Sequence, residues 1–244
     1  MAEKKTRAKK SAVQTQAPRP LWRRGLRWFG RGVAAVLGFY VLLIFLFSFL
    51  PPPGNISQWQ ESWRLGGIQR DWVSWDQISP DMGRSAVAGE DANFCLHWGF
   101  DMAQIRDAIK HGKQRGASTI SQQVVKNVFL WQGRSYVRKA MEAALTPIVE
   151  LMWSKQRILE VYLNEAEFSE GVFGVQAAAR ALFKTDAAHL TPVQAARLAA
   201  VLPNPKDRHA AKPSTFVKAH AAEIMSGAET IEADGRATCF ETAD

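Results

Sequence analysis

Residues 33–50 form a run of eighteen without a charge, Val-Ala-Ala-Val-Leu-Gly-Phe-Tyr-Val-Leu-Leu-Ile-Phe-Leu-Phe-Ser-Phe-Leu, and no other feature restricts the fold as strongly. As a helix the run extends about 27 Å at ~1.5 Å per residue, close to the roughly 30 Å hydrocarbon core of a bilayer. A buried helix of a soluble domain would carry a polar face, whereas only Ser48 and the Tyr40 hydroxyl interrupt this one. A cleaved signal peptide fits less well: the basic region before the run is long, no small-x-small cleavage site follows, and Pro51-Pro52-Pro53 comes next. The Arg23-Arg24 pair lacks the surroundings of a twin-arginine signal. The run reads as an uncleaved transmembrane helix.

Charge gives that helix a direction. Residues 1–32 hold ten Lys or Arg against the single acid Glu3, a local +9 in a chain whose formal charge is +8, so the remainder is close to neutral. The positive-inside rule places this basic tail in the cytoplasm and residues from 54 onward outside. Because the basicity belongs to the tail, no nucleic-acid partner is expected. Residues 51–58 read as a linker stiffened by three prolines. A folded domain over 59–225 follows, and then a small, polar, acidic tail, 226–244, expected to be poorly ordered. Trp59, Trp63, Trp72 and Trp75 suit either the water–lipid boundary or a core. Cys95 and Cys239 are the only cysteines, which excludes a disulfide framework or a Cys-based metal site, and Cys95 reads as a small apolar residue.

Beyond residue 80 apolar residues recur at spacings of three and four and no stretch alternates for long, so the domain is expected to be mainly α. Thr119-Ile-Ser-Gln122 predicts a capping box opening a helix to about Leu130, and Thr191-Pro192-Val-Gln194 repeats the device. Between them one apolar face runs from Val137 to Met152, with Pro147 expected to kink or divide the helix. A further helical set runs from Lys155 to Asn164.

The chain has no GxxxxGK[ST] loop, HExxH pair, GxSxG elbow or SxxK serine, and its five histidines lack ligand spacing. Carboxylates and bases remain. Glu90-Asp91 sits against apolar and aromatic neighbours, surroundings that raise a carboxylate pKa and suit a general base or acid, although a helix cap is the plain alternative. Arg138, Lys139 and Glu142 share a helical face within a stretch, Arg106 to Arg157, that holds ten basic residues and three acids. A basic cleft outside a membrane suits an anionic, lipid-linked substrate.

Four ordered motifs carry a resemblance: Glu90-Asp91-x-x-Phe94-x-x-His97-x-Gly99, Gly116-Ala-Ser118-Thr119-Ile-Ser-Gln122-Gln123-x-x-Lys126-Asn127, Arg138-Lys139-x-x-Glu142-Ala143 and Lys155-x-x-Ile158-Leu159-Glu160-x-Tyr162-Leu163-Asn164. Together they resemble the biosynthetic peptidoglycan glycosyltransferases, glycosyltransferase family 51, and with a single anchor and no penicillin-reactive serine the chain is similar to the monofunctional branch. Asn93 stands where that family usually has a basic residue, and the chain after about Glu223 departs from its helical end.

The resemblance implies a lysozyme-like, mainly α glycosyltransferase domain that polymerises lipid II and releases undecaprenyl diphosphate. It implies Glu90 as general base and Glu142 as electrostatic support for Arg138 and Lys139 or as ligand of a divalent cation, Mg²⁺ or Mn²⁺, with no organic cofactor. Asp91, Phe94, His97, Ser118, Thr119, Gln122, Gln123, Lys126, Asn127, Arg138 and Lys139 are the implied substrate-binding residues, while Glu160, Tyr162 and Asn164 suit architecture equally. The expected partners are lipid II, the growing glycan strand and the bilayer, with cell-division or cell-wall synthesis proteins as candidates. The resemblance also favours membrane contact over core packing for Val124–Trp131. A glycan-cleaving relative would not need the Arg138, Lys139, Glu142 group, and an inactive scaffold would gain nothing from keeping both glutamates.

Overall fold

A computed structural model describes residues 21–110, 118–133 and 135–241 of the chain, so Gly116 and Ala117 of the second motif lie outside the described residues. The chain divides into two compact units, 1–40 and 41–244. Helix α1, Leu21–Phe47, contains a stretch, Gly25–Phe47, long and apolar enough to cross a membrane, with 6% of its most apolar window buried. The span expected over 33–50 thus ends three residues earlier, where Ser48–Leu50 turn.

Within the second unit, the end of α1 is tied down through its carbonyls, the groups a helix C-terminus leaves without partners. Trp153 Nε1 donates to Ile44 O at 2.8 Å, and Arg157 donates to Phe47 O at 2.9 Å and Leu50 O at 2.7 Å. A guanidinium there also meets the negative end of the helix dipole. After eight intervening residues, α2, Ile56–Leu65, opens with a capping box between Asn55 and Gln58. Both side chains also bond the buried Glu165 carboxylate, at 2.8 and 3.0 Å, and Arg70 pairs with it at 2.8 Å. Trp59 and Trp63 of α2 are exposed, whereas Trp72 and Trp75 are half-buried.

The remaining elements follow in order: β1 Gln69–Arg70, α3 Pro80–Glu90, α4 Met102–Lys110, α5 Ile120–Phe129, α6 Tyr136–Met152, α7 Lys155–Glu165, β2 Glu167–Ser169, β3 Val172–Phe173, α8 Val175–Ala178, α9 Pro192–Val201 and α10 Thr215–Ala233. The small sheet has the order β1-β3-β2, with β1 parallel and β2 antiparallel to β3. The mainly α expectation holds, and both predicted capping boxes are formed, at Thr119/Gln122 and Thr191/Gln194. Pro147 leaves α6 undivided; Thr146 Oγ1 bonds Glu142 O at 2.7 Å one turn back.

Two helical layers make the core. In the first, α3, α9 and α10 pack closely because the contacts are small residues: a Cβ on Gly89 would lie 3.1 Å from Ile224 Cδ1, and one on Gly227 3.2 Å from Ala88 Cβ. In the second, α5 packs on α6 and α7, burying Val124, Val125, Phe129, Leu145, Val149, Ile158 and Leu159.

Three expectations are corrected here. The segment from 226, expected to be poorly ordered, continues α10 to Ala233 and then turns back onto the domain with Phe240 buried. Its composition is acidic, but Val217, Ala221, Ile224, Ala228 and Ile231 form an apolar stripe at helical spacing. Cys95 and Cys239, too few for a framework, form one disulfide across 144 residues. Val124, Val125, Phe129 and Leu130, expected to meet the membrane, are core residues.

Candidate active site

Glu90 ends α3, and its position depends on what the next residue holds. Asp91, 2% exposed, accepts from Ile120 N at 3.0 Å through Oδ2 and pairs with His97 Nε2 at 2.9 Å through Oδ1. A carboxylate at the N-terminus of α5 satisfies one of that helix's orphan donors and suits its dipole. Thr119, the N-cap of α5, donates its hydroxyl to Gly99 O at 2.7 Å, closing the first motif onto the second. Gly99 has φ +80°, and a Cβ there would lie 2.5 Å from Thr146 Cγ2, so this approach requires glycine.

With α5 seated, Gln123 Nε2 donates to Glu90 Oε2 at 2.8 Å. Burial pushes the Glu90 carboxyl above its ordinary value, against the pull of Gln123 and Lys126. Three residues along α5, burial pushes the Lys126 ammonium down, while Glu142 and Glu90 both pull it back up. Lys126 is therefore the charge that senses both glutamates.

Glu142, 3% exposed, projects from α6, whose N-cap Ser135 accepts from Arg138 N. Its Oε2 holds Arg138 Nη1 at 2.8 Å and its Oε1 holds Lys139 Nζ. Arg138 Nε also donates to Gly133 O at 2.9 Å, which fixes the guanidinium, whereas the Lys139 side chain is half exposed. The divalent cation expected at Glu142 would meet a carboxylate that already accepts from Arg138 and Lys139. Among the described residues no group of three or more His, Cys, Asp or Glu stands together. Mg²⁺ is usually held by one or two carboxylates together with substrate phosphates and waters, and Glu142 would be such a carboxylate.

The other sequence-predicted residues divide by environment. Phe94 is fully buried with Lys155 Nζ 4.4 Å above its ring, and Gln122 is buried within the capping box, so with Asp91 and Thr119 these side chains hold the loop in place. Ser118 is exposed, and Lys126 and Asn127 are half-buried. Asn93 donates to Asp101 Oδ2 at 2.8 Å. Tyr162 and Asn164 are buried, and Asn164 bonds the backbone of Val73 through both N and O, so both are architectural; Glu160 pairs with Arg157 at 3.0 Å.

Two features escape sequence reasoning. Buried Glu150 accepts from Ser121 Oγ at 2.5 Å and Lys155 Nζ at 2.8 Å, and Lys155 also donates to His97 O, joining the fourth motif to the first. Exposed apolar residues lie on the loop after Glu90 and on α4: Leu96, Trp98, Met102 and Ile109. The signal for α4 was the spacing of Met102, Ile105 and Ile109.

Comparison with known proteins agrees with this arrangement. The Transglycosylase family profile matches residues 58–229. The biosynthetic peptidoglycan transglycosylase of Jannaschia sp. (strain CCS1) is 55% identical over 234 residues, 96% of this chain and 98% of that protein. Its namesake from Pseudomonas savastanoi pv. phaseolicola (strain 1448A / Race 6) is 47% identical over 221 residues, 86% of this chain and 91% of that protein. With its glutamates, capping boxes and basic cluster falling inside the matched range, this chain belongs to the transglycosylase family.

Proposed function

We propose that the protein is a peptidoglycan glycosyltransferase that joins lipid II units into β-1,4-linked glycan and releases undecaprenyl diphosphate, with Glu90 as general base. The observation that carries this is a pair of differently held glutamates: Glu90, whose carboxylate accepts from Gln123 at 2.8 Å, and buried Glu142, which pairs with Arg138 at 2.8 Å and with Lys139. Glu90 takes the proton from the acceptor's 4-hydroxyl as that oxygen attacks C1 of the growing chain. The C1–O bond to the α-linked diphosphate breaks with its electron pair going to the diphosphate. One displacement inverts the centre to β and needs no covalent enzyme intermediate.

A diphosphate leaves readily if its charge is met. Arg138, Lys139 and Lys126 supply cations for it, and Glu142 holds the first two in position. If a Mg²⁺ or Mn²⁺ ion takes part, Glu142 would be the carboxylate to hold it, and the ion would supply further positive charge to the leaving diphosphate. Ser118, Gln123 and Asn127 offer the remaining polar side chains toward substrate. The exposed apolar residues of the 96–109 region suit contact with the bilayer that carries the polyprenyl tail.

The same reading places the N-terminus in the cytoplasm and the catalytic domain outside the inner membrane. The basic tail supports that orientation, and so does the Cys95–Cys239 disulfide, a bond that persists in oxidising compartments. The test is incubation of the detergent-solubilised full-length protein with labelled lipid II and Mg²⁺. Long, lysozyme-sensitive glycan that vanishes in Glu90→Gln is expected. Shortening of preformed glycan without synthesis would overturn the proposal in favour of a cleaving enzyme, and retention of lipid II without turnover in favour of a scaffold.

A further inference from the structure

The residues after α10 lie beyond the range matched by the family profile, which ends at 229, yet they make close contacts beside Glu90. Arg236 Nη1 donates to Ala92 O at 3.0 Å, two residues past Glu90. Cys239 is bonded to Cys95 in the same loop. Phe240 is 1% exposed, with its ring 6.4 Å from that of Phe94 and 6.1 Å, edge-on, from that of Trp75. Arg84, on α3 itself, pairs with Glu241 at 2.6 Å and with Glu232 of α10 at 2.7 Å. The C-terminal segment thus grips both α3 and the loop that continues it.

That loop has little regular structure of its own. From Asp91 to His97 its backbone makes one short 3₁₀ turn, Phe94–Leu96, and Cys95 sits in the middle of it. The loop nevertheless carries Asp91, which seats α5 and hence Gln123, and His97, which pairs with Asp91. A displacement of Ala92 or Phe94 would be transmitted directly to the Glu90–Gln123 pair.

We infer that residues 234–241 are a brace that holds the Asp91–His97 loop in its catalytic geometry, with Arg236, Cys239 and Phe240 as positioning residues. The inference rests on the reading of Glu90 as general base. It predicts an effect on turnover rather than on substrate capture, because none of the three belongs to the basic cluster that meets the diphosphate. Misplacement of a catalytic group by about 1 Å costs up to ~100-fold in rate.

The experiment compares oxidised and reductant-treated full-length enzyme with the Cys95→Ser/Cys239→Ser variant, using labelled lipid II. Reduction is expected to lower kcat by about tenfold to a hundredfold with KM within about twofold, and the double variant should match the reduced enzyme and ignore reductant. Arg236→Ala, which leaves the disulfide in place, should lower kcat several-fold, and Arg236→Lys should recover part of the loss. Melting temperatures show whether each sample is folded at the assay temperature; where the reduced enzyme is not, the Arg236 variants decide. Unchanged kcat on reduction of a folded enzyme, or in Arg236→Ala, overturns the brace. Oxidised wild-type enzyme that makes no glycan would instead refute the lipid II reading. Amide exchange at residues 91–97 then tests the brace alone: faster exchange on reduction upholds it, and unchanged exchange overturns it.

Discussion

Gln123 Nε2 stands 2.8 Å from Glu90 Oε2, so the end of α3 and α5 meet at the carboxylate proposed as the general base. The contact is specific in sign. An amide donor stabilises the charged carboxylate, whereas burial, the larger effect, favours the protonated one and leaves the Glu90 pKa raised.

A raised carboxylate pKa costs stability at neutral pH. Between the ordinary glutamate value of about 4.3 and the raised one, folded protein holds a proton that the unfolded chain has released, so stability falls as pH climbs through that interval. Glu90→Gln should therefore abolish turnover and melt higher than wild type at pH 7, with the difference shrinking as the pH falls to about 4. Equal melting temperatures across that range would mean that Glu90 is not desolvated. Gln123→Ala removes a group that favours the charged form, so the acidic limb of kcat should move to higher pH. A limb that stays in place would separate Gln123 from the base.

Arg138 is fixed at both ends of its guanidinium, on Glu142 and on Gly133 O, with its side chain 12% exposed. A preorganised cation aimed at developing charge is worth about 10²–10³ in kcat. Arg138→Ala is expected to lose that much. Arg138→Lys should recover only part of it, because an ammonium cannot hold both anchors at once. Lys139→Ala should cost less, since its side chain is 51% exposed and water already screens it. Equal losses at the two positions would show that charge alone, not fixed geometry, assists departure of the diphosphate.

Glu90 and Glu142 were readable in the sequence as candidates because their signals are local. Glu90-Asp91 against apolar residues, the Thr119/Gln122 capping box and the Arg138, Lys139, Glu142 face each fall within a few turns of chain, and each is formed. What sequence reasoning missed depends on distant pairing or on which surface an apolar face meets. Cys95 gives no local sign that Cys239 is its partner, and the acids of 229–234 conceal the Val217-to-Ile231 stripe. Periodicity at Val124–Leu130 reveals an apolar face but not that α6 and α7 cover it. Glu150 was passed over for the same reason: its partners, Ser121 and Lys155, lie on α5 and α7.

Gly99 links the first motif to α6 at a point where no side chain fits. At φ +80° an L-residue is strained, and the Cβ of alanine would lie 2.5 Å from Thr146 Cγ2 and 3.2 Å from Glu150 Cγ. Backbone strain of this kind costs about 1–3 kcal/mol, and overpacking a similar amount. Gly99→Ala is therefore expected to lose about 2–6 kcal/mol in all, lowering Tm by roughly 4–24 °C in a domain of this size. The two contributions can be separated. Thr146→Ser removes Cγ2 but keeps the hydroxyl that bonds Glu142 O at 2.7 Å, so combined with Gly99→Ala it should return the part of the overpacking due to Thr146 and leave the strain and the closer approach to Glu150. Because Gly99 O accepts from the Thr119 hydroxyl, the single variant should also disturb the seat of α5 and lower kcat. If the double variant melts no higher than Gly99→Ala alone, the clash with Thr146 is not what makes glycine necessary here.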